Sequence, residues 1–127
     1  MKTYMQRVRD LGLHEKVFIL AGVGPLASAR SAQWIRNNVA GVHIPDAVIK
    51  RLEGAQDQAQ EGVNVCIDMI HELRELEGIS GVHIMAYRQE HRVPEIVEKT
   101  DVLAGRTPWR PDVDRQALEA QSTENTQ

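Results

Sequence analysis

The chain has 127 residues, a net charge of -3 and a pI near 5.9. This size fits one domain with a single core, and the mildly acidic balance argues against nucleic-acid partners, which favour a strongly basic face. No apolar run approaches the roughly 20 residues that span a bilayer, and the single cysteine, Cys66, excludes an internal disulfide framework, so we expect a cytoplasmic protein without membrane partners.

The N-terminal part of the chain predicts a helix followed by a strand. Apolar residues at helical spacing predict the helix over residues 1–11. Val17–Ala21 is apolar at every position, which is typical of a strand that is covered on both faces. Gly22–Pro25 cannot easily continue a strand, and we predict a loop there.

Two short helices are predicted after this loop. Ser28 can cap a helix over Ala29–Asn38, because its hydroxyl can accept a hydrogen bond from a free N–H of the first turn. Pro45 is a good first residue for the next helix, and Gly54 ends it.

The longest helix follows and carries a clean apolar stripe. Asp57 and Gln60 have the spacing of a capping box at its start. The stripe has helical spacing and consists of Val63, Cys66, Ile67, Ile70 and Leu73.

A second strand and a last helix complete the ordered part of the predicted fold. Val82–Tyr87 is apolar except for His83 and is followed by the polar residues Arg88–Glu90, and the last helix covers Pro94–Leu103. From Thr107 onward the sequence is polar and contains two prolines, so we predict a domain over residues 1–106 and a mobile polar tail over residues 107–127.

A helical stretch between two strands predicts that the strands are parallel, and two parallel strands do not make a complete sheet. Both outer edges would remain unpaired. A closed barrel of eight strand–helix units needs about 250 residues. We therefore predict an α/β fold that is part of a TIM (β/α)8 barrel, namely its last two parallel strands with about five helices. A small, self-sufficient α/β domain is the alternative.

Four segments resemble the C-terminal part of methylenetetrahydrofolate reductases in their order and spacing. In that family a glycine- and proline-containing turn ends the penultimate barrel strand, and a helix, an Ile-Pro segment, a long helix and the last strand follow. The resemblance covers about residues 13–90, and the segments read ILAGVGPL, HIPDAVIKRLEGA, GVNVCIDMIHELRELEG and GVHIMAYRQ.

The resemblance implies an FAD-dependent oxidoreductase that reduces 5,10-methylenetetrahydrofolate to 5-methyltetrahydrofolate. It implies that the general acid and most FAD contacts lie on strands outside this chain, so the chain contributes no catalytic residue and is expected to be inactive alone. The implied electron donor is NAD(P)H or a redox protein. The implied partners are the folate substrate and either the missing N-terminal half of the barrel or further copies of the chain.

Four residues are candidates for substrate binding. Arg88, just past the second strand, could pair with a folate carboxylate or bond the pterin, or it could be an ordinary surface arginine. Gln89 aligns with a folate-contacting arginine of the family. Tyr87 could contact the substrate ring or cap the end of the barrel. Ser31 aligns with a folate-contacting glutamine, although a serine at a helix start often has a structural role.

The histidines and the cysteine are predicted to have structural roles. The five histidines lack the spacing of metal ligands, and we predict no metal site. Cys66 lies on the apolar stripe and is expected to be inert. Two rival functions stay open: a non-catalytic structural half that docks onto a partner chain, and a small phosphate-binding domain that uses the loop Gly22–Pro25 and the following helix start.

Overall fold

The computed structural model describes residues 1–106, which form five α-helices and one two-stranded sheet. This confirms the mixed α/β class with two parallel strands and five helices. The predicted tail, residues 107–127, lies outside the described residues. In chain order the elements are α1 (Lys2–Asp10), a 3-10 turn (Leu13–Glu15), β1 (Leu20–Val23), α2 (Ala29–Asn38), α3 (Asp46–Glu53), α4 (Gln58–Arg74), β2 (Gly81–Ile84), a second 3-10 turn (Glu90–Arg92) and α5 (Val93–Thr100).

The two strands pair in parallel, with Leu20 opposite Gly81 and Val23 opposite Ile84. The chain reaches β2 only after α2, α3 and α4, so the predicted crossover is confirmed. Since the strands are parallel, their carboxyl ends lie at the same edge of the sheet.

The predicted strand boundaries are wrong: β1 is Leu20–Val23 and not Val17–Ala21, and β2 is Gly81–Ile84 and not Val82–Tyr87. We expected the first strand over Val17–Ala21, but the N–H of Val17 donates to the carbonyl of Leu13 at 3.1 Å and holds this residue in the preceding turn. Pairing with β2 starts only at Leu20 and then continues through Gly22 and Val23, which we had placed in the loop. Backbone pairing, not the apolar run, decides where the strand lies.

One face of the sheet is covered by α4. Ala21 and Val23 of β1 are buried, and Val82 and Ile84 of β2 pack against the same cluster. All five residues of the predicted stripe on α4 are buried members of this cluster, which confirms the stripe. Ile96 brings α5 into the same core.

The other face of the sheet, which we call the open face, has no cover among residues 1–106. Leu20 is 61% exposed and Met85, just after β2, is 56% exposed. His83 is exposed as well, and it pairs with Gly22 across the sheet. The expectation of a strand covered on both faces is therefore wrong for the described part of the chain.

Helices α2 and α3 share a second, smaller core. Of the caps predicted for α2 and α4, the first is confirmed in full and the second only in part. Ser28 caps α2 as predicted, and its hydroxyl accepts from the N–H of Ser31 at 3.1 Å. Asp57 caps α4 by accepting from the N–H of Gln60. The predicted box at α4 does not close, because the side chain of Gln60 turns instead to Glu95 and Arg92 near α5. None of the described helices is long and apolar enough to cross a membrane.

Candidate functional site

A cavity of about 490 Å³ lies at the carboxyl ends of β1 and β2, and we call it the strand-end cavity. The loop after β1 forms one wall, and α2, α3 and the segment between them form another. Its lining is mainly apolar and includes Pro25, Leu26, Ile35, Val42, Ile44, Val48, Val65, Met69 and Met85. Pockets of this size at strand ends commonly hold small organic ligands.

Glycine at two positions lets the loop after β1 take its path. A Cβ on Gly24 would lie 2.3 Å from the carbonyl oxygen of Met85, so the ends of the two strands could not approach as they do. A Cβ on Gly62 of α4 would meet the carbonyl oxygen of Leu26. The loop is thus held between β2 and α4, and the close approach at Gly24 is to protein backbone.

Gln89 joins the segments that follow the two strands. Its side chain is buried, with 8% of the residue exposed, and its Nε2 donates to the carbonyl of Pro25 at 3.0 Å. Its Oε1 is buried and has no hydrogen-bond partner among the described residues. Gln89 lines the strand-end cavity, so the structure places it at the site and also shows its role in tying the two loops together.

Tyr87 and Arg88 lie at the mouth of this region. Tyr87 lines the strand-end cavity and is 82% exposed, so its ring is available to a ligand. The guanidinium carbon of Arg88 lies 5.6 Å from the centre of that ring. Arg88 also has φ of 59°, an unfavourable backbone conformation for a residue with a Cβ, and its N–H donates to the carboxylate of Glu90 at 3.1 Å. Strain of this kind occurs preferentially at functional sites.

Ser31 lines the strand-end cavity, but its hydroxyl has structural partners. The oxygen accepts from the N–H of Ser28 at 3.1 Å and the hydroxyl donates to the carbonyl of Ser28 at 2.9 Å. Together with the bond from the Ser28 hydroxyl, this completes a capping box at the start of α2. Any ligand contact of Ser31 therefore competes with the cap.

Of the four predicted site residues, three line one cavity: Tyr87, Gln89 and Ser31. Arg88 is not part of its lining, although it stacks on Tyr87. Their roles in substrate binding stay predictions. The sequence reasoning missed His43 and Met85, which also line the cavity. Met85 could have been found from its period-two spacing with His83 on the same face of the strand.

No aspartate, glutamate, lysine or arginine of residues 1–106 lines the strand-end cavity. Within the same range there is no group of three or more His, Cys, Asp or Glu side chains that could hold a metal ion. Cys66 lies in the core, and burial raises the pKa of its thiol to about 11, so it stays protonated and unreactive at neutral pH.

A family model described as methylenetetrahydrofolate reductase matches residues 1–101. The chain belongs to this family. The match begins at α1 and reaches past α5, so it covers the two strands, the strand-end cavity and all four predicted site residues. This confirms the resemblance found in the sequence. Membership implies an oxidoreductase and a barrel fold, of which the described residues supply two strands. No curated protein matches the chain.

Proposed function

We propose that this chain forms the C-terminal part of a methylenetetrahydrofolate reductase barrel and supplies the folate-side wall of its active site. The single observation that carries the proposal is the strand-end cavity. It lies where a (β/α)8 barrel places its ligands, and it brings Tyr87, Gln89 and Ser31 to one place. Its apolar walls suit a flat ring system, and the exposed ring of Tyr87 offers a stacking surface.

The complete enzyme would reduce 5,10-methylenetetrahydrofolate to 5-methyltetrahydrofolate, with electrons from NAD(P)H or a redox protein. Proton transfer in such a reaction needs a positioned acid. Since no carboxylic acid of the described residues lines the strand-end cavity, we assign that acid to another strand of the barrel. The chain alone should therefore bind folate weakly and should not turn it over.

FAD is the cofactor that the family resemblance implies. A dinucleotide carries a pyrophosphate, which is held by cationic side chains or by clustered N–H groups. The part of the cavity lining that belongs to residues 1–106 has no lysine or arginine. At the start of α2, the N–H of Ala29 donates to Gln58 and that of Ser31 donates to Ser28. These residues do not fit the dinucleotide, and we assign FAD binding mainly to residues outside this chain.

A titration with 5-methyltetrahydrofolate, followed by NMR on the labelled full chain, tests the proposal. We expect signals of Tyr87, Met85 and Ile44 to shift together, because these residues line one cavity. Tyr87→Ala should weaken binding about tenfold, the loss of one good stacking contact of roughly 1.4 kcal/mol. Tyr4→Ala is the matched control, since Tyr4 is exposed on α1 and lies outside the cavity.

Shifts confined to other regions, or equal effects of the two tyrosine variants, would contradict the proposal. Turnover of substrate by the purified chain without any other polypeptide would contradict the assignment of the acid and of FAD to other strands.

A second function, that of a non-catalytic half that docks onto a partner chain, is favoured by the exposed apolar residues of the sheet. Leu20 and Met85 lie on the open face, and Phe18, just before β1, is 91% exposed. Apolar residues that cluster on a surface commonly mark an interface. Size-exclusion chromatography with light scattering tests this function, and a stable monomer that binds no hydrophobic dye would count against it.

A phosphate-binding domain has less support. Its site would use the free N–H groups at the start of α2. Two of those groups already have side-chain partners, namely Gln58 and Ser28.

A further inference from the structure

Two glutamines in the first turn of α4 hold the segments that follow the two strands. Oε1 of Gln58 accepts from the N–H of Ala29, the first residue of α2, at 2.9 Å. Oε1 of Gln60 accepts from Nη1 of Arg92 at 2.8 Å, and Arg92 ends the segment over residues 85–92 that follows β2, which we call the β2 loop. The start of α4 therefore contacts two segments that supply lining residues of the strand-end cavity, although neither glutamine lines it.

The side chain of Gln60 lies between a carboxylate and a guanidinium. Its Nε2 donates to Oε1 of Glu95 at 2.8 Å, and its Oε1 accepts from Arg92. Hydrogen bonds from Lys99 and from Gln60 lower the pKa of the Glu95 carboxyl, so this group is ionised at neutral pH. A primary amide carries an acceptor and two donors on one flat group, so Gln60 satisfies both neighbours at once.

Arg92 connects Gln60 with the candidate site. Its backbone N–H donates to the carbonyl of Gln89 at 2.9 Å, and its guanidinium binds Gln60. Gln89 is buried, lines the strand-end cavity and donates from Nε2 to the carbonyl of Pro25. A continuous series of hydrogen bonds thus leads from α4 through the β2 loop to the loop after β1. The position of Gln89 therefore depends on a side chain of α4 that lies outside the cavity.

The β2 loop needs support from outside itself. Arg88 has φ of 59°, and backbone in this region is strained for a residue with a Cβ. Strained residues persist only where the surrounding structure fixes them. The strand ladder holds one end of the loop, where the N–H of Met85 donates to the carbonyl of Val23 at 2.7 Å. The bond between Arg92 and Gln60 is a side-chain anchor at the other end.

We propose that Gln60 and Arg92 are positioning residues for the strand-end cavity. Their hydrogen bond fixes the β2 loop, so that Tyr87 and Gln89 keep the arrangement that binds the ligand. Neither Gln60 nor Arg92 lines the cavity, so each acts through the loop. Binding sites need their contacting groups held within about 0.5 Å of the productive geometry, and supporting residues provide that accuracy. The inference rests on the proposed function for the identity of the ligand only.

The position of Gln89 in the ligand-free full chain provides the first test. Gln60→Leu keeps a side chain of similar size and removes both of its hydrogen bonds. We expect the side-chain NH2 group of Gln89 to exchange with water at least about fivefold faster in this variant, because a less restrained β2 loop opens more often. NMR on the labelled chain measures the exchange. An unchanged rate would overturn the proposal.

Gln33→Leu is the matched control for Gln60→Leu. Nε2 of Gln33 also donates to a glutamate, Glu53, at 3.1 Å, but this bond joins α2 to α3 and Gln33 lies outside the strand-end cavity. The control should change the exchange of Gln89 less than about twofold. Circular dichroism melts check that both variants fold. Equal acceleration in the two variants would mean that general loosening of the chain is the cause, and it would overturn the proposal.

Affinity for 5-methyltetrahydrofolate provides the second test. Gln60→Leu should weaken binding about tenfold, the lower end of the loss that follows when residues that orient metal ligands are removed. NMR titration measures the affinity at a temperature where the wild type and the variant are both folded. A purely structural role would lower the melting temperature and leave the affinity of the folded chain unchanged, and this result would overturn the proposal.

A double-mutant cycle tests whether the two positioning residues act through one bond. Arg92→Leu should weaken binding of 5-methyltetrahydrofolate as much as Gln60→Leu does. The double variant should bind no more than about twofold more weakly than either single variant, because all three lack the same bond. Additive losses would overturn the assignment to this bond.

The tests separate this inference from the proposed function. If the wild-type chain does not bind 5-methyltetrahydrofolate, the proposed function fails, and the exchange of the Gln89 side chain alone decides the positioning role. If the wild type and all variants bind 5-methyltetrahydrofolate equally well, the positioning role fails and the proposed function stands.

Discussion

The two faces of the sheet come from the same two strands but have opposite environments. Ala21 and Val23 of β1 lie under α4 and are buried, whereas Leu20, on the same strand, is 61% exposed on the open face. The covered face already has the packing of a finished core. The open face leaves the apolar side chains of Leu20 and Met85 largely exposed. The comparison indicates that helices of this chain complete one side of the sheet, whereas the other side has no cover among residues 1–106.

The largest difference in the free energy of unfolding is expected between two side-chain truncations, one at the covered face and one on the open face. Ile70 of α4 is fully buried against the covered face, so Ile70→Ala should lower the free energy of unfolding by about 2–5 kcal/mol. Leu20→Ala removes a side chain that is already largely in water and should change it by less than about 0.5 kcal/mol. Urea denaturation measures both. Similar losses would mean that the open face is covered in solution.

The next largest difference in stability is expected between alanine variants of Gly24, in the loop after β1, and Gly22, in β1. Gly24→Ala must move the backbone of Met85, because the new Cβ would lie 2.3 Å from its carbonyl oxygen, and we expect a loss of about 1–3 kcal/mol. Gly22→Ala lies on the open face, where the new Cβ would meet only the flexible end of the Met85 side chain at 2.8 Å. Gly22→Ala should therefore lower the free energy of unfolding less than Gly24→Ala does. Thermal unfolding compares the two, and the reverse order would contradict the arrangement of the strand ends.

A substitution at Arg88 is expected to stabilise the protein, in contrast to the preceding variants. Its φ of 59° is strained for any residue with a Cβ, so Arg88→Gly should raise the free energy of unfolding by up to about 1 kcal/mol. Part of this gain is lost because glycine also makes the unfolded chain more flexible. Arg88→Ala removes the same side chain and keeps the strain, so it serves as the control. Equal stability of the two variants would mean that the left-handed conformation carries no strain.

The smallest effect on stability is expected from an ion pair on the outer surface of α4, between Glu61 and Arg51. Hydrogen bonds from Arg51 and Asn64 lower the pKa of the Glu61 carboxyl below its ordinary value of 4.5, and Arg51 also binds Asp68 at 2.7 Å. A lowered pKa in the folded state means that the pair stabilises the protein above about pH 4.5 and that this contribution is lost as the pH falls further.

For this exposed pair we expect a few tenths of a kcal/mol. Glu61→Gln should therefore melt slightly below the wild type at pH 7, and the difference should shrink as the pH falls below about 4.5. A difference in melting temperature that stays constant as the pH falls below about 4.5 would show that packing, and not charge, accounts for it.

Local signals predicted the helices of this fold well. The cap at Ser28 and the apolar stripe from Val63 to Leu73 depend on residues close together in the chain, and both are confirmed. The strand limits were missed because pairing with a segment about 60 residues away decides them. For the same reason, the sequence predicted a substrate-binding role for Gln89, which stays a prediction, but could not show its bond to Pro25.

The sequence by itself determined the family, the order of the elements and the residues at the strand ends, because each depends on patterns within short segments or on their spacing. The tertiary structure alone decided which three of the four predicted residues share one cavity and which face of the sheet is left open. Those facts depend on contacts between segments far apart in the chain. Such contacts are set by packing and backbone pairing, and residue type at one position does not specify them.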